Sequence, residues 1–133
     1  MKPDRVNELH ADHRAALARL EAALAQDPRT TDLVVDGTIQ RFEFAFELAW
    51  KLMQALLKTQ GLEAASPRAA IKEAFRVGWL PDGDGWIDML EDRNKTSHLY
   101  DETAAQAIYD KIKRQHIGRL QAWRDQAEKT SSD

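Results

Sequence analysis

The chain has 133 residues, a net charge of −3 and no cysteine. That length can bury one core without metal or disulfide support, and the composition excludes disulfide frameworks and thiolate metal sites. The N-terminal stretch is charged throughout and no run nears the roughly 20 apolar residues of a membrane span, so a cytoplasmic protein with no membrane contact is expected.

Helical spacing runs along nearly the whole chain. From Asp4 to about Gln26, Val6, Leu9, Leu17, Leu20 and Leu24 recur at three- and four-residue steps, and Asp27-Pro28 ends the pattern. A longer helix is predicted from Asp32 to Gln60, with Ile39, Phe42, Phe46, Ala49, Trp50, Met53 and Leu57 on one face and Gly61 as the stop. Phe44, Leu48 and Leu56 fall outside that stripe, which predicts burial on a second side. Ser66-Pro67 is a serine cap followed by proline at the first helical position, opening a short helix that ends near Gly78. After the Pro81–Gly85 turn, Trp86, Met89 and Leu90 begin a fourth helix that carries Arg93. Asp101 caps the last helix, whose stripe is Ile108, Tyr109, Ile112, His116, Leu120 and Trp123, with fraying expected over 128–133. No strand alternation occurs, and alanine and leucine outweigh valine and isoleucine. The expectation is an all-α, antiparallel up-and-down bundle over 1–133 as a single domain, with four main helices and a short connecting one.

Known catalytic patterns are mostly absent. No glycine-rich phosphate loop, G-x-S-x-G or H-E-x-x-H is present. Asp82-Gly83-Asp84-Gly85 has Trp86 where a calcium loop needs a ligand, and reads as a solvated turn. His10 and His13 could reach one metal from adjacent helical turns, but His13 lies on the apolar stripe and no third ligand stands nearby. No metal or cofactor is expected. His116 sits on a core stripe and reads as a satisfied interior histidine. Net acidity means that nucleic-acid contact would need a local basic patch, and Lys111, Lys113, Arg114, Arg119 and Arg124 offer a modest one. Glu43, Glu47 and Lys51 follow four-residue steps, either as helix salt bridges or as the lining of a groove.

The densest chemistry lies in Arg93-Asn94-Lys95-Thr96-Ser97-His98-Leu99-Tyr100. Arginine offers a planar fork suited to phosphate, and histidine exchanges a proton near neutral pH. Arg93 and Tyr100 share a helix face, while His98 lies roughly 140° from Arg93 and joins them only if the backbone leaves the helix near Ser97. An ordinary helix end would explain the same residues, with Arg93 paired to Glu91 or Asp92 and His98 on the last carbonyls.

R-x4-H-x-Y in this block resembles the signature of the HEPN superfamily of small helical proteins. Gln40-Arg41-Phe42-Glu43-Phe44-Ala45-Phe46-Glu47-Leu48-Ala49-Trp50-Lys51 resembles the second helix of the nucleotidyltransferase substrate-binding proteins. Arg68–Gly78, Asp92-Arg93-Asn94 and Ala107-Ile108-Tyr109 extend the likeness, which covers roughly residues 30 to 113. The resemblance implies a homodimer that works beside a minimal nucleotidyltransferase. In one form the chain is a non-catalytic subunit holding the acceptor, with Arg93, His98, Tyr100, Glu43 and Glu47 around the pocket. In the other it is a metal-independent ribonuclease toxin acting on RNA and silenced by the transferase as antitoxin. There His98 would be the general acid/base, Arg93 would stabilise charge, Asn94 would orient the pair, and Tyr100 would be modified by adenylate.

Overall fold

The computed structural model describes residues 4–99 and 101–132. Six helices follow in order: α1 (Asp4–Leu24), α2 (Asp32–Thr59), α3 (Pro67–Arg76), α4 (Gly83–Lys95), α5 (Glu102–Lys111) and α6 (Ile117–Ser132). A 3-10 turn, Thr96–His98, follows α4, and a π turn, Ile112–His116, joins α5 to α6 as one continuous run.

Cross-helix pairs fix the topology. Arg41 on α2 donates to the Arg19 carbonyl on α1, Gln121 on α6 donates to Glu21 on α1, and Lys111 on α5 meets Asp88 on α4. α1, α2, α4 and the α5–α6 run therefore go up, down, up and down, with α3 bridging α2 to α4. It is an all-α antiparallel bundle with no strand among the described residues. No helix there is long and apolar enough to cross a membrane.

α2 lies at the centre because its apolar positions are the most numerous. Phe42, Ala45, Phe46, Ala49, Leu52, Met53 and Leu57 are fully buried among Leu17, Leu20, Trp86 and Trp123. Burying one such large side chain is worth about 1.5–3 kcal/mol. The indole of Trp123 also donates to the Ala49 carbonyl at 3.1 Å, so its polar atom is not orphaned in that core.

Helix starts follow their caps. The Ser66 hydroxyl accepts from Ala69 N–H, and the Asp101 carboxylate accepts from Ala104 N–H at 2.7 Å. Gly61 and Gly78 adopt positive φ just past α2 and α3, where a side chain would be strained. α4 begins at Gly83, a turn earlier than its apolar pattern at Trp86 suggests, because Asp82 caps Gly85 N–H and draws the Asp-Gly-Asp-Gly turn into the helix. α6 runs as helix to Ser132 rather than stopping near Glu128, since Ala127 is fully buried and Gln126 bonds Thr130. Leu56 is buried as the second-side reading of α2 requires, but Phe44 is 57% exposed.

The π turn has a geometric cause. Ile108, Ile112, His116 and Leu120 are all buried at four-residue steps, and each such step overshoots a helical turn by about 40°. The wider π turn takes up that drift and keeps all four facing inward.

Candidate functional site

Arg93 lies on the last turn of α4, facing α2. Its Nη1 donates to the Glu47 carboxylate at 3.0 Å, and its guanidinium carbon lies 5.3 Å from the centre of the Phe46 ring. Glu47 is shared: Lys51 stands 3.2 Å away, and the Trp50 indole donates to the same carboxylate at 3.2 Å. Burial pushes the Glu47 carboxyl up, but donors from Trp50 and Lys51 and the charge of Arg93 outweigh it and hold the pKa below its usual value. One turn further, the Thr96 hydroxyl lies 2.6 Å from the Glu43 carboxylate and 2.7 Å from the Arg93 carbonyl. The arginine therefore pairs with neither Glu91 nor Asp92 but with a carboxylate forty-six residues away. Glu47 makes the helix salt bridge that its spacing allowed and adds a contact across to α4.

The backbone leaves the α-helix after Lys95, one residue before the point that sequence geometry required, and the 3-10 turn carries His98. Asn94 and His98 are exposed beside the half-buried Arg93. Tyr100, predicted as a pocket and modification residue, lies outside the described residues.

Behind Arg93 runs a buried polar network that the sequence did not reveal as a unit. Asp92 points away from its neighbour into the bundle, 2.8 Å from both Lys111 Nζ and His116 Nε2. His116 is fully buried, stacks on Phe42 with ring centres 5.5 Å apart, and accepts from Arg119 at Nδ1. An arginine on Nδ1 and a carboxylate on Nε2 require the neutral imidazole with its proton on Nε2. Burial lowers the His116 pKa, with Asp92 opposing and the Arg119 and Lys111 charges assisting. Arg119 continues to Asp82 at 3.1 Å, packed so closely over Gly85 that a side chain there would collide with both partners. Asp88, Asp92 and His116 offer ligand atoms within 4.8 Å of one another, but the Lys111 ammonium, 2.8 Å from both carboxylates, supplies the positive charge that a metal would bring.

These pairs dissolve the basic patch read from the last third. Lys111 and Arg119 face inward to Asp88, Asp92 and Asp82, and Arg124 pairs with Asp125, leaving Lys113 and Arg114 exposed on the π turn. His10 and His13 stand in different surroundings. His10 Nδ1 accepts from Arg14 at 2.7 Å, and His13 is buried against α2 and α6 without a well-formed hydrogen bond. Burial pushes the His13 pKa down to about 4, helped by the nearby His10 and Arg124 charges.

An up-and-down bundle whose fourth helix presents an arginine to a carboxylate on its second, next to an exposed histidine, is a small helical module with one polar focus. The family described as "Nucleotidyltransferase substrate binding protein like" matches residues 9–129, and the chain belongs to it. A Haemophilus influenzae protein named Probable ribonuclease HepT is 36% identical over 86 residues, which span 61% of this chain and 59% of the relative's length. A crystal structure from Thermus thermophilus is 35% identical, covering 90% of this chain and 96% of that one, with a TM-score of 0.72. A second structure, from Haemophilus influenzae and described as revealing the fold of a substrate binding domain of a nucleotidyltransferase, superimposes with a TM-score of 0.78 at 27% identity. It covers 92% of this chain and 98% of that one.

Proposed function

We propose that this chain is the non-catalytic, substrate-binding subunit of a two-component minimal nucleotidyltransferase and that it works as a homodimer in the cytoplasm. The transferase partner supplies the metal and its carboxylates, while this chain holds the acceptor around Arg93, His98 and Tyr100, with Glu43 and Glu47 as the opposite wall. The observation that carries the reading is the Arg93–Glu47 contact, extended by Thr96–Glu43. An arginine held by Glu47, with a second carboxylate, Glu43, held by Thr96 one helical turn away, gives a mixed-charge surface suited to a polar acceptor, whereas a site for an RNA backbone gains from unopposed cations.

A second reading stays in view because Arg93, Asn94, His98 and Tyr100 are all present in the sequence and because one relative is named as a ribonuclease. In that reading His98 moves the proton and Arg93 steadies the charge on phosphorus. An adenylate added to Tyr100 by an antitoxin transferase would then block RNA.

Purified chain made without any partner separates the two. Wild type and His98→Ala would be incubated with RNA in the presence of chelator. We expect intact RNA in both. Cleavage by wild type that disappears in His98→Ala would sink the binding-subunit reading and establish the toxin.

A further inference from the structure

Where α1 has ended, α2 begins, α4 has ended and α5 begins, a groove crosses this end of the bundle. It consists of two adjoining hollows of about 380 and 460 Å³ that share Asp36, Leu99 and Ala105. Its floor is apolar, formed by Val35, Ile39, Leu99 and Ala105, and Leu33 stands on its rim at 73% exposure. Its charged lining is of one sign: Asp32, Asp36, Glu43, Asp101 and Glu102, with no lysine or arginine. Asp101 is engaged as the α5 cap and Glu43 by Thr96, but among the described residues Asp32, Asp36 and Glu102 pair with no cation. Like charges gathered over an apolar floor repel one another and hold water that a cationic partner would release.

We infer that this groove is where the nucleotidyltransferase partner docks, through a segment that carries lysine or arginine around an apolar side chain. The inference rests on the proposed function, since it takes its occupant from that reading. From Asp32 to Glu43 α2 rises about 16 Å, room for roughly five residues of extended chain. The apolar side chain meets Leu33, Val35 and Leu99, and the basic ones meet Asp36 and Glu102. The groove ends at Thr96 and Glu43, one helical turn from Arg93, so a docked segment delivers the transferase to the acceptor pocket.

The test uses the full chain and a minimal nucleotidyltransferase from the same source, with binding measured by calorimetry at low and at high salt. Wild type should bind more weakly as salt rises. Asp36→Lys/Glu102→Lys should weaken binding by about tenfold or more. Leu33→Ser, a change at an exposed position, should weaken it without the salt dependence changing. Circular dichroism melts identify any variant that has lost its fold, and Leu33→Ser then carries the test. Binding equal to wild type by folded versions of both variants would overturn the docking groove and leave the proposed function standing. Failure of wild type itself to bind the transferase would overturn both.

Discussion

His13 is a side chain whose chemistry its surroundings change strongly. Buried between α1, α2 and α6, it is held neutral, with its pKa moved from 6.5 to about 4. The unfolded chain binds a proton at this residue near pH 6.5, whereas the folded chain does so only near 4, so stability falls as pH drops through that window. The full effect is roughly 3 kcal/mol, and burial of His10 and His116 lowers their pKa values too and adds loss in the same direction. Urea melts at pH 7 and pH 5 should therefore show wild type weakened at the lower pH and His13→Met weakened distinctly less. Equal losses in the two proteins would mean that His13 is not held neutral. Asp92 makes the complementary case, a buried acid with two partners. Removing it leaves Lys111 and His116 without their acceptor, and Asp92→Ala should cost about 3 kcal/mol in a denaturant melt. A loss below about 1 kcal/mol would show that water replaces the carboxylate at little cost.

Among the elements, α2 and α4 are tied by polar contacts as well as by packing. Arg93–Glu47 and Thr96–Glu43 join the last turn of α4 to the middle of α2, while Asp92 and Asp88 join the same helix to the α5–α6 run. α4 is thus gripped on two faces, which sets the angle at which Arg93 meets α2. A double-mutant cycle with Arg93→Ala and Glu47→Gln should give a coupling of about 1 kcal/mol, since both side chains are partly screened by water. Strict additivity would mean that the contact aligns nothing. The order of five helical runs, α5 and α6 read as one, was legible because several starts and stops carry a local signature: Ser66-Pro67, Asp101, Gly61 and Gly78 act on backbone groups within a few residues. The π turn was not legible, since its cause is the four-step register that the core imposes on α5 and α6.

For the whole molecule, the surface left uncovered by the bundle offers a place to test the proposed homodimer. Phe44 is 57% exposed above an apolar hollow of about 280 Å³ that Ala15, Ala16 and Leu48 help to line, with Asp12, Arg19 and Arg41 at its edge. Both charge signs around an apolar centre suit a two-fold interface, in which each patch meets its own copy. Sedimentation should give a dimer for wild type and a monomer for Phe44→Ser, with helix content unchanged. A monomer for both would remove the homodimer from the proposed function.

The sequence by itself determined the helical class, most element boundaries to within about a turn and the block around Arg93, because helical periodicity, caps and short motifs are local properties. Only the tertiary structure decided what those residues face. Arg93 turned to Glu47 and not to its neighbours, and Asp92, one position away, turned into the bundle toward Lys111 and His116. Three of the five cations that read as one basic patch were drawn to acids on the same or neighbouring elements. The five carboxylates of the groove come from two stretches about sixty residues apart. Spacing along a helix fixes which way a side chain points, but which charge stands opposite depends on how the helices pack, and that is settled by burial of the apolar faces.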